Sequence, residues 1–226
     1  LLGLEDLSQT CELVTRISQL VHALQKERGY SNLYLCSNAP HQRLQLDSLS
    51  QAAENLERQV RDDLERIDQN GIGSADKTRL FTRIAYALHS LDELPALRRK
   101  IREHRIGMQD ATAALVRLIG GLLAVVFEAA DTAIDPAITR SLVALFNFMQ
   151  GKELAGQERA LGVAGFASGY FTAEMLERLE HLLECQQRSF ATFSRFASPA
   201  ALELWQCLCA STSNAQACRL RDIARH

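Results

Sequence analysis

Apolar residues recur every three or four positions along almost the whole chain, which is the pattern of amphipathic α-helices. The alternation of apolar and polar residues that marks a strand is hard to find. Four prolines, Pro40, Pro95, Pro136 and Pro199, fall where helices are expected to begin or end. The pattern therefore predicts an all-α protein of about eight helices, joined by short loops and packed as helical bundles.

Loop residues and N-cap signals set the expected ends of these helices. The predicted helices cover about 5–37, 41–69, 75–90, 109–130, 137–170, 173–197, 200–210 and 213 to the end. The third helix is expected to be interrupted at Pro95 and to resume or kink through His104. The helix at 109–130 is apolar nearly all round in its second half, so we expect it to be the central, enclosed one.

The composition is ordinary for a globular protein, with 47% apolar and 23% charged residues among 226. A formal net charge of -2 argues against a nucleic-acid-binding surface as the main function. Six cysteines lack the spacing of a disulfide framework and are interpreted as free thiols of a reducing compartment. No uncharged apolar run reaches the roughly 18 residues of a membrane span. We therefore expect a cytoplasmic protein, trimmed at its start because no initiator Met or signal peptide is present.

Two segments share a Glu-Arg pair followed by a very small residue. One is Leu-Gln-Lys-Glu-Arg-Gly at 24–29, and the other is Ala-Gly-Gln-Glu-Arg-Ala at 155–160. Helical spacing places Arg28 on the apolar stripe of the first helix and Arg159 on the stripe that includes Val163, Phe166 and Tyr170. The match suggests an internal duplication with two buried arginines.

A buried guanidinium needs a compensating charge. No carboxylate lies three or four residues from either arginine, so the partner must come from another helix or from a bound anion. One interpretation is an internal ion pair, with Glu27, Glu158, Glu128 or Asp131 as the carboxylate. The other is a small planar monoanion held by the two guanidinium forks. Phosphate fits less well because no glycine-rich loop between a strand and a helix is available.

The segments 24–31 and 152–162 resemble the two signature segments of the nitrate- and nitrite-sensing (NIT) family. The resemblance implies a single sensor domain over 1–226, folded as two packed four-helix bundles that bind nitrate or nitrite through Arg28 and Arg159. It also implies regulation of an attached output, as in NasR-type transcription antiterminators, with RNA contacted only through an output domain outside this chain. Lys26, Ser31 and Gln157 are possible accessory ligands. We expect a homodimer, no membrane association and no cofactor.

Other candidate sites have simpler interpretations. Glu177, His181 and Cys185 share a helix face, but no Cys-x-x-Cys or Glu-x-x-His pattern supports a metal site there. The group of Trp205, Cys207, Leu208 and Cys209 is interpreted as the core of a short helix. The basic run at 97–105 is interpreted as a solvated helix face rather than a contact for RNA or a protein partner. No nucleophile with a neighbouring base is evident, so an enzyme is not predicted.

Two alternatives to nitrate sensing remain open. The arginines of a non-sensing helical scaffold or dimerisation module would be locked in internal ion pairs. The same fold could instead sense another small anion, such as bicarbonate or a short carboxylate.

Overall fold

The computed structural model describes residues 2–37, 40–70, 78–131 and 135–225, and within these ranges it contains eight α-helices and no strand. The helices are α1 (Leu2–Ser37), α2 (Pro40–Asn70), α3 (Thr78–Arg102), α4 (Met108–Asp131), α5 (Pro136–Ser168), α6 (Ala173–Phe196), α7 (Pro199–Cys209) and α8 (Thr212–Arg225). The predicted all-α class is confirmed. The predicted Asn-Gly-Ile-Gly-Ser loop at 70–74 lies almost wholly outside the described residues.

Side-chain caps begin three helices where the sequence predicts them. Asp135, before Pro136 at the first turn of α5, accepts hydrogen bonds from the amides of Ala137 and Ile138. Thr172 caps α6 and Ser198 caps α7 in the same manner. The far end of α5 is closed by Gly169, whose φ of 78° is left-handed and suits glycine.

Pro95 does not interrupt α3, so the prediction of a break there is wrong. The helix is continuous from Thr78 to Arg102 with Pro95 inside it, on the exposed side. Proline removes one backbone hydrogen bond and strains the preceding turn. The buried residues Leu91, Leu94 and Arg98 on the opposite side hold the helix against its neighbours. Tertiary packing therefore outweighs the local cost.

The first of two compact units comprises Leu1–Ile134 and contains α1 to α4. Within it, α1 packs on α2 and α4, and α3 packs on α4 and α2. Its core is aliphatic, and the largest fully buried side chains are Leu13, Ile17, Leu20, Leu24, Leu64, Ile84, Leu91, Leu94, Leu115, Ile119 and Leu122. The helix α4 contributes twelve buried residues and touches both α1 and α3, in keeping with its predicted central position.

Among the described helices, α4 alone is long and apolar enough to cross a membrane, with a mean hydropathy of 2.0. Its sequence contains no uncharged run of about 18 residues because Arg117 and Glu128 interrupt it. Of the most apolar 18-residue window, 61% is buried inside the protein. Burial of this kind is also found in the core helix of a folded unit.

The second compact unit comprises Asp135–His226 and contains α5 to α8. Its main contact is between α5 and α6, and α8 also touches α5. The rings of Phe148, Phe190, Phe193 and Trp205 form an aromatic cluster, with the Phe190 and Trp205 centroids 4.4 Å apart. A Cβ at Gly151 would lie 2.6 Å from the Phe190 ring, so glycine at this position lets α6 approach α5 closely.

The short helix α7 has no buried residue, and this corrects the interpretation of Cys207, Leu208 and Cys209 as core. All three are exposed, and only Trp205 is drawn into the aromatic cluster. Helical spacing puts Trp205 and Leu208 on neighbouring positions, but Trp205 is partly buried whereas Leu208 is exposed.

Candidate functional site

Arg28 lies on α1 and is 3% exposed, as its position on the apolar stripe predicts. The buried residues Val21 and Leu24 lie on the preceding turns, and Ser31 follows on the next. The Ser31 hydroxyl donates to the carbonyl oxygen of Glu27 at 2.8 Å, so this possible accessory ligand is bonded to the helix backbone. Lys26, on the other side of α1, is exposed.

The carboxylate of Glu27, the residue before Arg28, is gripped by Arg98 of α3. The Nε of Arg98 donates to Oε1 at 2.7 Å and its Nη2 donates to Oε2 at 2.9 Å. Ser50 of α2 also donates to Oε1 at 2.7 Å. This buried cluster joins three helices at the turn that carries Arg28, and it uses both charge-assisted bonds and the planar guanidinium fork.

Two further carboxylates of α2 face Arg98. Glu57 accepts from Nη1 at 3.1 Å, and Glu54 lies 3.6 Å away. Burial raises the pKa of Glu57, and the nearby guanidinium of Arg98 offsets this only in part. Burial would lower the pKa of Arg98, but the hydrogen bonds and charge of Glu27 outweigh it and raise that pKa. Arg98 is therefore the cation shared by Glu27 and Glu57, and Arg61 lies 3.8 Å from Glu57 as a second cation.

Arg159 on α5 is exposed, so the prediction that both arginines are buried is right for Arg28 and wrong for Arg159. Val163, Phe166 and Tyr170, predicted on the same stripe, are exposed as well. Phe148 was predicted on this stripe too, but it packs on the Phe190 and Phe193 rings of α6, so only the early part of the stripe contacts α6. Gly151 adds a close approach to the Phe190 ring. Among the described residues, none forms an ion pair or a hydrogen bond with the guanidinium of Arg159.

Glu158, beside Arg159, is held by Arg221 of α8. The Nε of Arg221 donates to Oε1 at 2.6 Å and its Nη2 donates to Oε2 at 2.8 Å. The Nε2 of Gln186 on α6 donates to Oε2 at 2.8 Å. Hydrogen bonds to Glu158 raise the pKa of Arg221, despite partial burial. The contacts join α5, α6 and α8 at the turn that carries Arg159.

The glycines near Arg159 differ in the space around them. A Cβ at Gly165 would collide with the ring of Phe171, so that glycine accommodates an aromatic side chain. Gly162, by contrast, has no neighbour within 4 Å of a built Cβ. The possible accessory ligand Gln157 is bonded to protein groups: its Nε2 donates to Glu153 at 3.0 Å, and its Oε1 accepts from Arg178 at 3.3 Å.

The four carboxylates considered as counter-ions lie close to other arginines. Glu27 binds Arg98 and Glu158 binds Arg221, as described above. Glu128 lies 3.7 Å from Arg83, and Asp131 lies 3.5 Å from Arg79. The sequence analysis did not identify Arg98 and Arg221 as members of the sites. A signal was available for Arg98, since steps of seven, four and three place it with Leu91, Leu94 and Ile101 on the buried face of α3.

The structure places the other sequence candidates as follows. The Nε2 of His181 lies 3.6 Å from Cys185 Sγ, and within the described ranges no three His, Cys, Asp or Glu side chains gather to hold a metal ion.

In the basic run at 97–105, Arg98 is buried, Arg102 binds Asp47 at 2.9 Å and Arg105 pairs with Glu103. The run is therefore only partly the solvated face that was predicted.

Within the described residues each compact unit contains four helices, and this all-α arrangement is that of a helical-bundle protein. The chain belongs to the NIT family, described as nitrate and nitrite sensing, whose model matches residues 19–226. The match spans most of the first unit and all of the second. It confirms the family predicted from the two signature segments, which is a regulatory sensing family rather than an enzyme family.

Two known proteins are similar to this chain over nearly all of its length. The nitrate regulatory protein of Klebsiella oxytoca is 38% identical over 221 residues, which is 98% of this chain and 54% of that protein. The structure of the NasR transcription antiterminator matches with a TM-score of 0.88 and 36% identity, over 98% of this chain and 59% of that one. The chain thus spans little more than half the length of these relatives.

Proposed function

We propose that residues 1–226 act as one sensor domain that binds nitrate or nitrite through Arg28 and Arg159. The observation that carries the proposal is the state of the two neighbouring glutamates. Glu27 is bound by Arg98 and Glu158 is bound by Arg221, so each carboxylate next to a candidate ligand residue already has a different arginine as its counter-ion. Two arginines in matching contexts, each beside a neutralised acid, suit the capture of an anion.

The chemistry of guanidinium favours a small planar anion. Its five N–H donors lie in one plane and match two oxygens of a planar oxyanion, with hydrogen bonds strengthened by charge. Nitrate and nitrite each offer oxygen atoms in such a plane and carry a single negative charge. A ligand of this size needs no glycine-rich cradle, and none is found in the described residues.

The proposed signal is a shift between two conformations of the domain. Because Arg28 is 3% exposed, an anion from solvent reaches it only when the packing around α1 opens. Anion binding then favours the conformation in which the arginines bind it best. A useful response requires a difference in affinity between the two conformations of about 5- to 150-fold.

We propose transcription antitermination as the regulated output, by analogy with the NasR transcription antiterminator. RNA would be contacted through an output domain outside this chain, and a homodimer would pass on the change. A cytoplasmic location, without membrane association, is supported by six free cysteines and by the burial of most of α4 in the first unit.

Titration calorimetry of the 226-residue chain with nitrate, nitrite, bicarbonate, acetate and chloride tests the proposal. Nitrate or nitrite is expected to bind, and Arg28→Ala and Arg159→Ala are each expected to abolish binding while circular dichroism stays unchanged. The control is Arg117→Ala, which removes an exposed arginine of α4 and should leave the affinity unchanged. Binding of no anion would leave a scaffold, and binding of a carboxylate or bicarbonate alone would identify a sensor of another anion.

A further inference from the structure

Glu158 presents a problem for any anion bound at Arg159. The two residues are adjacent on α5, so their side chains leave the helix about 100° apart but remain within the roughly 10 Å over which charges act on each other in solution. An ionised carboxylate within this range lowers the affinity of a guanidinium for an anion. A site built on Arg159 therefore needs Glu158 to be neutralised.

Arg221 of α8 neutralises Glu158. It donates two parallel hydrogen bonds to Glu158, and Gln186 donates a third. The donors of these three hydrogen bonds lie on α8 and α6, not on α5. The side chain of Glu158 is only 13% exposed. With Arg221 in place, the group of Arg159, Glu158 and Arg221 has a net single positive charge; without Arg221 it has none.

The first unit repeats the arrangement. Arg98 binds Glu27 through the same two pairs of atoms, Nε with Oε1 and Nη2 with Oε2, and Ser50 takes the place of Gln186 as the neutral donor. The clamping arginine comes from the third helix of the first unit and from the fourth helix of the second. The two sites therefore share a Glu-Arg pair followed by a small residue, Gly29 or Ala160, and a glutamate held by two parallel hydrogen bonds, but not the order of the helices.

A neighbouring ion pair of α8 provides a comparison. Arg225, one turn beyond Arg221, binds Glu180 of α6 with Nε–Oε1 at 2.7 Å and Nη2–Oε2 at 3.0 Å. The geometry is nearly the same, but Glu180 has no arginine beside it in the sequence. A purely structural role in fastening α8 would be shared by both pairs, whereas support of the anion site would belong to Arg221 alone.

We propose that Arg221 is a positioning residue for the anion site at Arg159, which it supports by binding and neutralising Glu158. The inference rests on the proposed function and deepens it. By thermodynamic reciprocity, an anion that binds better when the Arg221–Glu158 pair is formed also stabilises that pair. Occupancy of the site would thus fasten α8 to α5.

The test compares nitrate affinities of variants of the 226-residue chain by calorimetry. Arg221→Gln is expected to weaken binding about tenfold, within the range usual for coupled sites. The matched control Arg225→Gln should stay within about twofold of the parent chain because Glu180 lies outside the site. Arg221→Lys, which keeps the charge but loses the fork, should give an intermediate affinity and also serves if Arg221→Gln fails to fold.

The double variant Glu158→Gln, Arg221→Gln tests whether Arg221 acts by neutralising the charge of Glu158 or only by holding α8 against α5. Removing both charges should restore nitrate affinity to within about threefold of the parent, since no carboxylate is left to oppose the anion. A double variant as weak as Arg221→Gln would overturn the proposal, and so would equal affinities of Arg221→Gln and Arg225→Gln. If the parent chain binds no nitrate, or Arg159→Ala binds it normally, the proposed function fails and this inference fails with it.

Discussion

Glu158 of α5 receives two parallel hydrogen bonds from Arg221 of α8, through the same pairs of atoms by which Arg98 grips Glu27. These two arginine–glutamate pairs, here called clamps, differ in their exposure to solvent. The side chains of Arg98 and Glu27 are buried, whereas those of Arg221 and Glu158 are partly exposed. The same chemistry should therefore have different consequences for stability in the two units.

Arg98→Met is expected to destabilise the first unit by about 3–5 kcal/mol, because it leaves Glu27 and Glu57 buried without their cation. Arg102→Met, which removes the partly exposed pair with Asp47 on the same helix, should cost about 1 kcal/mol or less. Urea denaturation followed by far-UV circular dichroism measures both. Equal effects of the two substitutions would show that burial does not set the strength of the Arg98 contacts.

Glu57 should make the stability of the protein depend on pH. Its pKa is raised in the folded state by burial, so the folded protein holds this proton more tightly than the unfolded chain does. The contribution is fully present below the unfolded pKa of 4.5 and is lost as pH rises through the folded pKa. Compared with the parent, Glu57→Gln should therefore gain in free energy of unfolding as pH rises from 4.5 towards 7.

Thermal denaturation of the two proteins in parallel across this pH range gives the difference directly. Glu54→Gln is a suitable control, since Glu54 lies on the same helix near Arg98 but is exposed. A difference between Glu57→Gln and the parent that does not change with pH would contradict the raised pKa.

Two glycines of α5 should respond in opposite ways to alanine. At Gly151 a Cβ would lie 2.6 Å from the Phe190 ring, so Gly151→Ala is expected to cost about 1–3 kcal/mol through overpacking. At Gly162 nothing lies within 4 Å, so Gly162→Ala should stabilise the helix by about 0.5–1 kcal/mol. Fluorescence of Trp205, the only tryptophan, reports on the second unit during denaturation because its ring packs on Phe190.

Phe190→Leu in the Gly151→Ala background should recover part of the lost stability, because a smaller side chain makes room for the methyl group. Destabilisation by both alanine substitutions alike would indicate a general intolerance of α5 to change and not a close approach of α6.

Local signals predicted the helices well, because caps and breakers act over a few residues. Asp135, Thr172 and Ser198 mark helix starts that hydrogen bonding confirms. Periodicity placed Phe148 and Val163 on the same stripe as Arg159, but Phe148 packs on α6 whereas Val163 is exposed. It could not say which face of α5 meets α6, since that depends on the close approach at Gly151, which involves a residue of another helix.

The sequence did not predict the two clamps because their members lie far apart along the chain. Glu27 and Arg98 are 71 residues apart, and Glu158 and Arg221 are 63 apart. Spacing along one helix restricts neighbours only at three or four residues, so a pairing between helices leaves no regular mark in the chain. The sequence did show that Arg28 and Arg159 have no carboxylate three or four residues away on their own helices.

Lysine substitutions should distinguish charge from geometry at the proposed site. Arg28→Lys and Arg159→Lys keep a positive charge but replace the planar fork with a compact ammonium group, which holds a carboxylate or nitrate less specifically. Loss of one charge-assisted hydrogen bond, worth about 1.5–3 kcal/mol, is expected to weaken nitrate binding about tenfold or more. Arg117→Lys is the control for a change of the same kind at an exposed position of α4.

Calorimetry at low and at high ionic strength gives the second measurement. If the arginines act mainly through charge, the lysine variants should bind nearly as well as the parent, and all should lose affinity alike as salt screens the interaction. If the fork is what selects a planar anion, the lysine variants should also lose their preference for nitrate over chloride, because chloride has no plane to match. Retention of both affinity and preference by Arg159→Lys would rule out bidentate recognition at that residue.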